Sequence, residues 1–158
     1  DLQHEIKKLA KLTAKMRTKV DRDTFGKGDI TFAPVSELPT RLIGQLGKLC
    51  HCVPIVTGKM DEDINRRLLR KVVRDIIDPT SNRFRLCMDL MEGWYGRDEL
   101  LEHHPQMSKS TIGRELDNLR ELNIVDEKLG ASNIPKFKRL MFTLSDEIKQ
   151  GLMLIGNA

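Results

Sequence analysis

One stretch of the sequence carries a regular series of arginines. Arg66, Arg70 and Arg74 stand four residues apart, and Arg67 and Lys71 flank them. This spacing places the three guanidinium groups on one face of a helix. A stripe of cations follows a nucleic-acid backbone well, because each neutralised phosphate releases counterions. The spacing therefore predicts that Arg66, Arg70 and Arg74 contact phosphate, and a solvated helix face is the alternative that stays open.

The segment Cys50-His51-Cys52 is a second place where side chains point to chemistry. Zinc sites need about four ligands, usually as two spaced pairs, and no second pair accompanies this one. A Cys–His nucleophile needs a supporting oxyanion-stabilising segment, which the sequence does not show. We therefore predict no metal, no cofactor, no catalytic residue and no small-molecule substrate, and we interpret Cys50 as a small buried apolar group.

The arginine stripe and the cysteine pair must be positioned by helices. Apolar residues that recur every three or four positions predict three helices, from Leu2 to about 21–23, from about Thr40 to Cys52, and from about Glu62 to Ile77. In the third helix the predicted core-facing row is Ile64, Leu68, Val72 and Ile76. Segment 53–58 is predicted as a loop, Asp61 as an N-cap, and Gly44 and Gly47 as places where another helix approaches closely.

From residue 79 onwards, short helices alternate with extended stretches. The predicted order is a helix ending at Gly93, an extended piece at 94–96, helices at 97–103 and after Ser108, β-like stretches at 124–129 and 137–144, and a last helix from Ser145. The predicted fold class is therefore mainly α with a small β-wing. We expect a basic helical module at residues 1–78 and a second module at residues 79–158.

The second module resembles winged helix-turn-helix transcription regulators over about residues 80–145. The resemblance is carried by the element order and by the segment from Ser108 through Arg114, Leu116 and Leu119 to Ile124-Val125. It implies that the N-terminal turn of the third helix reads double-stranded DNA, with contacts from Lys109, Ser110, Thr111 and Arg114. An arginine there can form two hydrogen bonds to a guanine. In the wing, the resemblance implies backbone or minor-groove contacts from Lys136, Lys138 and Arg139.

A protein-binding role for the winged helix is the alternative. Winged helices also serve as protein–protein or dimerisation modules. Asp117 and Glu121 lie on the helix face that carries Arg114, and Glu115 is adjacent. Carboxylates on a face lying in the major groove repel phosphate, so the alternative stays open.

Residues 36–78 are similar to the helical lid of AAA+ ATPases, especially those of the minichromosome maintenance type. The similarity is carried by the segment from Glu37 to Leu49 and by the helix that follows it. It implies that Arg41 is a sensor arginine for a nucleotide, while an exposed helix residue is the other interpretation. The sequence contains no Gly-x-x-x-x-Gly-Lys-Ser/Thr loop. We therefore expect that this chain alone does not hydrolyse ATP by that route.

The distribution of charge favours a polyanionic partner. Residues 1–78 carry 16 Lys and Arg against 11 Asp and Glu, whereas residues 79–158 carry 11 against 12. The N-terminal half should therefore supply sequence-independent attraction to phosphate. No apolar run approaches the roughly 20 residues of a membrane span, and three cysteines without a disulfide pattern favour a reducing cytoplasm.

The function expected from the sequence is non-catalytic DNA binding. We expect a DNA-binding protein, or the C-terminal DNA-binding region of a replication or transcription ATPase. The partners expected are double-stranded DNA and either an ATPase assembly or a second copy. The long apolar stripe of the first helix predicts such a homodimer, which two-fold DNA readers need.

Overall fold

The structure is a computed structural model that describes residues 1–23, 30–31, 39–58, 61–131 and 138–156. Its elements are α1 (Leu2–Arg17), α2 (Pro39–Thr57), α3 (Glu62–Ile77), α4 (Asn82–Glu92), β1 (Tyr95–Gly96), α5 (Arg97–His103), α6 (Lys109–Glu121), β2 (Val125–Ala131), β3 (Lys138–Leu144) and α7 (Asp146–Gly156). The predicted fold class, mainly α with a small β-wing, is confirmed. Among the described residues, no helix combines the length and the apolar character needed to cross a bilayer. The wing residue Lys136, for which a DNA contact was predicted, lies outside the described residues.

The chain forms two compact units. Unit 1 comprises Asp1–Thr18, Val35–Pro79 and Glu147–Ala158, and unit 2 comprises Lys19–Pro34 and Thr80–Asp146. Unit 1 therefore holds α1, α2, α3 and all of α7 except its first residue. Unit 2 holds α4, α5, α6 and the three strands. The expected division into domains at residues 1–78 and 79–158 stays a prediction.

The apolar stripe of α1 is buried inside unit 1. Ile6, Leu9, Leu12 and Met16 are each at most 6% exposed, and α1 packs against α2 and α3. Gly151 of α7 also lies against α1, because a Cβ added there would be 3.2 Å from Leu12. The stripe therefore forms the core of its own unit. Pairing with a second copy through this stripe is incompatible with that packing, and a homodimer formed by another surface stays a prediction.

The core-facing row of α3 lies one residue later than predicted. The buried residues of this helix are Asn65, Leu69, Val73 and Ile77. Ile64 and Ile76, which were predicted to face the core, are 39% and 37% exposed. The cause is a series of doublets, Leu68-Leu69, Val72-Val73 and Ile76-Ile77. These doublets make two neighbouring rows almost equally apolar, so periodicity alone does not choose between them.

α2 continues through most of the segment predicted as a loop. The helix ends at Thr57 and contains Pro54, although a proline cannot donate to the carbonyl four residues before it. Val53 belongs to the buried core, and the Thr57 hydroxyl donates to the Val53 carbonyl at 2.8 Å. The burial of Val53 and this hydrogen bond keep the last turn helical.

The predicted N-cap of α3 is confirmed, because Asp61 accepts hydrogen bonds from the backbone N–H groups of residues 63 and 64.

Two smaller expectations also differ from the structure. α1 ends at Arg17 rather than at residues 21–23, because Thr18 adopts an extended backbone with φ −63° and ψ 125°. Gly44 and Gly47 were predicted to allow close approach by another helix. A Cβ added at either position would meet no atom of the described residues within 4 Å. Neither glycine therefore serves close helix packing.

The strands of unit 2 form an antiparallel sheet in the order β1-β3-β2. β3 pairs with β2 along its whole length, from Val125 opposite Leu144 to Ala131 opposite Lys138. β1 adds one short pairing, with Tyr95 opposite Phe142. The core of the unit is formed by completely buried side chains, which include Leu86, Leu90, Leu100, Ile112, Leu116 and Leu119.

A buried ion pair links α1 to α3 in unit 1. Glu5 is only 7% exposed, and its Oε1 accepts a hydrogen bond from Arg70 Nε at 2.7 Å. Arg66 Nε lies 3.9 Å from the same carboxylate, and Arg66 Nη2 lies 2.8 Å from Glu62. Two arginines of the predicted phosphate stripe are thus held by carboxylates of their own unit, whereas Arg74 is exposed. Phosphate contact by this stripe stays a prediction.

The ion pair predicts a loss of stability when its arginine is removed. Arg70→Ala leaves the buried Glu5 carboxylate without its closest partner, and we expect it to lower the free energy of unfolding by about 2 kcal/mol. Arg67→Ala, which removes an exposed arginine of the same helix, is the matched control and should change this energy by less than about 0.5 kcal/mol. Denaturant unfolding followed by circular dichroism measures both variants. Equal stabilities of the two variants would contradict a structural role for the pair.

Candidate nucleic-acid interface

The rotation of α6 about its axis is set by its buried face. Ile112, Leu116 and Leu119 are completely buried, and helical spacing turns the opposite face of the helix outward. We call residues 108–114 the α6 ledge. Within it, the exposed residues are Ser108, Lys109, Ser110 and Arg114, and Thr111 is half-buried. The structure therefore brings together the four residues predicted at this position.

Ser108, after which a helix was predicted, forms the N-cap of α6. Its Oγ accepts a hydrogen bond from the backbone N–H of Thr111 at 3.1 Å. The same oxygen lies 2.8 Å from Ser110 Oγ and 2.9 Å from Thr111 Oγ1. Three hydroxyl groups thus surround the first turn of α6, where backbone N–H groups carry partial positive charge. A phosphate oxygen at this place would meet hydroxyl and backbone donors together.

The two cations of the ledge have different surroundings. The Arg114 side chain is exposed, and among the described residues it has no hydrogen-bond or ion-pair partner. Lys109 Nζ donates to Asp98 Oδ1 at 2.8 Å, and both side chains are well exposed. The hydrogen bond from Lys109 lowers the pKa of Asp98. Exposed pairs of this kind are weak, so a phosphate can displace Asp98 from Lys109.

Arg97 is a third cation beside α6 that the sequence analysis did not single out. Its Nη2 lies 3.4 Å from Asp117 Oδ1. A Cβ added at Gly113 would lie 3.5 Å from the Arg97 guanidinium, so this group rests against the middle of α6. Gly113 is a glycine inside an otherwise regular helix, and such a glycine indicates that another part of the chain approaches the helix closely. That signal does not identify the residue that approaches.

In the wing, Arg139 is held by α5. Arg139 Nη2 donates to Glu99 Oε1 at 2.8 Å, and Glu99 Oε2 accepts from the backbone N–H of Gly96 at 2.7 Å. The Gly96 hydrogen bond, together with the nearby Arg139, lowers the pKa of Glu99. Arg139 therefore ties β3 to the start of α5. Lys138 is exposed and, within the described part of the chain, has no partner.

Arg22 holds the second half of α6 and was also missed by the sequence analysis. Its Nε and Nη2 donate to Asn118 Oδ1 at 3.0 and 2.7 Å, and Nη2 also donates to the Arg114 carbonyl at 3.2 Å. Asn118 is buried, so this arginine satisfies an amide oxygen that would otherwise lack a partner. Arg22 itself is placed by an isolated antiparallel bridge to Ile30. Nothing in the local sequence around residue 22 indicates this contact.

Unit 1 holds the remaining residues that the sequence singled out. Arg41 is exposed in the first turn of α2. Burial raises the pKa of the Cys50 thiol, which disfavours the thiolate that metal binding and nucleophilic attack require. In the described ranges, no three His, Cys, Asp or Glu side chains are grouped so as to hold a metal ion.

The described part of unit 2 has the topology of a winged helix-turn-helix. The elements follow the order α4, β1, α5, α6, β2, β3, and the strands lie in the order β1-β3-β2. In this arrangement α5 and α6 are the helix pair. β2 and β3 form the wing.

Comparison with known proteins adds little to this assignment. No family model matches the chain, and no curated protein does so either. Among solved structures, the reduced form of the transcriptional regulator YodB from B. subtilis is similar, with 19% sequence identity and a TM-score of 0.39. The similarity covers 49% of this chain and 71% of that chain.

The hydrogen bonds of Glu99 predict an acid-sensitive contribution to stability. Because the pKa of Glu99 is lowered in the folded state, its carboxylate stabilises the fold above the ordinary glutamate pKa of about 4.3. This contribution is lost as the pH falls through the lowered value. We expect Glu99→Gln to be less thermally stable than the wild type at neutral pH, with a difference that shrinks below about pH 4.

Thermal unfolding followed by circular dichroism at several pH values measures this difference. Glu102→Gln, an exposed glutamate on the same helix, is the matched control. A difference between the wild type and Glu99→Gln that stays constant from neutral to acid pH would contradict the prediction.

Proposed function

We propose that unit 2 binds double-stranded DNA through the α6 ledge, and that the chain serves the control of transcription or replication by binding alone. The observation that carries the proposal is the outward-facing first turn of α6. There the hydroxyl groups around Ser108 and the side chains of Lys109 and Arg114 are presented together. In this proposal Arg114 reads a base edge, because a guanidinium can bind guanine with two hydrogen bonds. Lys109 and the hydroxyl groups fix the register on phosphates.

The ion pairs of α6 support this orientation. Asp117, an acid expected to repel DNA, lies 3.4 Å from Arg97 and 4.0 Å from Arg120. Glu115 lies 3.8 Å from Arg83. Carboxylates that are paired with cations repel a phosphate less than free ones do. The attractive charge is therefore concentrated at the N-terminal end of α6, where the proposed contacts lie.

Salt dependence provides the first test. The full chain is titrated into a fluorescein-labelled random duplex and into the matching single strand, and binding is followed by fluorescence anisotropy. We expect duplex affinity to fall at least about tenfold between roughly 50 and 200 mM salt, because binding releases counterions. An absence of duplex binding at low salt, or affinity that does not change with salt, overturns the proposal.

Removing Arg114 should weaken binding to duplex DNA. We expect Arg114→Ala to lower the affinity by roughly tenfold for a duplex that has been enriched from random sequences by binding to the wild-type chain. The affinity for a random duplex should fall by less. Arg85→Ala, which removes an exposed arginine on α4, makes the same change in net charge and should stay within about twofold. Anisotropy titration measures both variants. Equal losses in the two would mean that net charge alone matters and that the ledge is not the interface.

Removing Asp98 should have the opposite effect. Asp98→Asn frees Lys109 from its hydrogen-bonded carboxylate, and we expect roughly threefold tighter duplex binding at low salt. The gain should vanish at high salt, because the charges are then screened. Glu102→Gln removes one negative charge from the same helix and is the matched control. If the two variants tighten binding equally, Lys109 is not the group that meets phosphate.

A protein-binding role for the winged helix is the second candidate. It is supported by Leu129, which is 65% exposed on the wing strand β2. The neighbouring Lys128 Nζ lies 3.9 Å above the ring of Trp94. An apolar residue on an edge strand suits β-strand addition by a peptide. Such docking would depend little on salt and would be lost in Leu129→Ser, whereas this substitution should leave duplex binding unchanged.

We propose separately that α2 and α3 act as a lid-like pair in an ATPase assembly. The support for this narrower proposal is the resemblance of residues 36–78 to AAA+ lids, together with the place of Arg41 in the first turn of α2. Calorimetric titration with ATP tests it. The chain alone should bind no ATP, and binding that depends on Arg41 should appear only with an added ATPase core.

A further inference from the structure

Part of the apolar surface of α3 is not used by the core of unit 1. The core holds the row of this helix that contains Asn65. The neighbouring row consists of four apolar residues at intervals of four, Ile64, Leu68, Val72 and Ile76. Its two end residues are 39% and 37% exposed, and its two middle residues are half-buried. Because a helix rises about 1.5 Å per residue, this row is about 18 Å long.

Three cations lie along one side of this apolar row. Helical spacing places Arg67, Lys71 and Arg74 beside it, and all three are exposed. In the described part of the chain, none of them has a hydrogen-bond or ion-pair partner. Together with Ile64 and Leu68 they line a groove with a volume of about 980 Å³. We call the apolar row and these three cations the α3 outer face.

We propose that the α3 outer face binds an acidic amphipathic helix of a partner protein. A helix whose apolar residues stand three and four positions apart covers the apolar row over about three turns. Acidic residues on one side of that helix meet Arg67, Lys71 and Arg74, whose charge no carboxylate of unit 1 compensates. Complementary charges of this kind fix the orientation of the partner. This occupant uses the apolar row and the cations together.

Neither a nucleic acid nor an anionic bilayer matches the whole face. A phosphate backbone attracts the cations but offers no apolar surface to the row. A bilayer surface carries negative charge over its whole area, whereas the face has exposed acids near both ends, Asp61 at the N-cap and Asp75 in the last turn. These acids oppose a bilayer along the full length of the face. A helix can carry acids opposite the cations alone.

The charge of the face also disfavours a second copy of the chain. If two copies paired antiparallel along the apolar row, the side that carries Arg67 and Lys71 in one copy would face the same side of the other. Like charges that are brought together across an interface oppose association. A partner of opposite charge avoids this repulsion.

The probe for this face is a fluorescein-labelled peptide of 18 residues. Leucines three and four positions apart form one face of it, glutamates flank them, and alanines fill the other positions. The full chain is titrated into the peptide, and binding is followed by fluorescence anisotropy. We expect a dissociation constant in the micromolar range, which rises with salt. A scrambled peptide of the same composition should bind at least about tenfold more weakly.

Exchanging the charges tests where the peptide binds. Arg67→Glu combined with Lys71→Glu should weaken binding of the acidic peptide at least about tenfold and create binding of a peptide with lysines in place of the glutamates. Lys7→Glu combined with Lys48→Glu is the matched control, because it makes the same change in net charge at exposed lysines of α1 and α2. The control should produce neither effect. Asp75→Asn should tighten binding of the acidic peptide about twofold, because it removes an acid that lines the groove.

Single substitutions keep the test decisive if the charge-exchanged variant does not fold. Arg67→Ala, which should not alter stability, and Ile64→Ser should each weaken peptide binding severalfold, whereas Lys48→Ala should stay within about twofold. Thermal unfolding followed by circular dichroism verifies that the variants are folded. An absence of peptide binding, equal binding of the scrambled peptide, or equal losses in the α3 variants and their controls overturns the proposal.

The other occupants are tested on the same variants. Sedimentation with vesicles of phosphatidylserine and phosphatidylcholine should not retain the chain. Retention that is lost in Ile64→Ser, without peptide binding, means that the face meets a bilayer and overturns the proposal. A wild-type dimer that Ile64→Ser converts to a monomer means that a second copy covers the face and also overturns it. Duplex binding is measured separately and depends on unit 2 in the proposed function, so the two proposals can fail independently.

Discussion

The completely buried face of α6 determines which side chains unit 2 presents to a partner. Ile112, Leu116 and Leu119 are each without exposed surface, so the helix cannot rotate without exposing apolar area or burying charge. A shift of one residue turns a helix by about 100° and would carry Arg114 toward the core. Arg22 adds a polar restraint, because it donates to Asn118 and to the Arg114 carbonyl. The orientation of the candidate interface thus depends on a packing constraint more than on its own polar contacts.

The contrast between α6 and α3 explains how far sequence periodicity predicts helix orientation. In α6 a single apolar row is separated by polar residues and preceded by the Ser108 cap, so only one rotation buries it. In α3 each apolar residue of the predicted row is followed by another apolar residue, except at Asn65. Because of that asparagine, the row beginning at Ile64 is the more apolar of the two in the sequence. The structure nevertheless buries the row that contains Asn65. Packing against α1 and α2 decides between rows that the sequence leaves nearly equal.

Contacts between distant parts of the chain set the limit for predicting the site. The exposed positions of the ledge residues were predictable, because they are local and follow from one cap and one helix. Arg22 and Arg97 were not, because their partners lie 96 and 20 residues away in sequence. The same limit applies to Arg139, whose role depends on Glu99 of α5. The sequence alone does not show which lysines and arginines are paired with carboxylates in the folded chain. A cation is therefore a candidate for phosphate binding only after its carboxylate partners are known.

The rotation of α3 also changes what the excess positive charge of residues 1–78 means. With the row of Asn65 buried, Arg70 meets the buried Glu5 carboxylate and Arg66 lies between Glu5 and Glu62. Much of the predicted phosphate stripe is then part of the fold of unit 1. Net charge alone assigned polyanion binding to this half of the chain. Cations that are engaged by carboxylates of their own unit attract a polyanion less strongly than the net charge indicates.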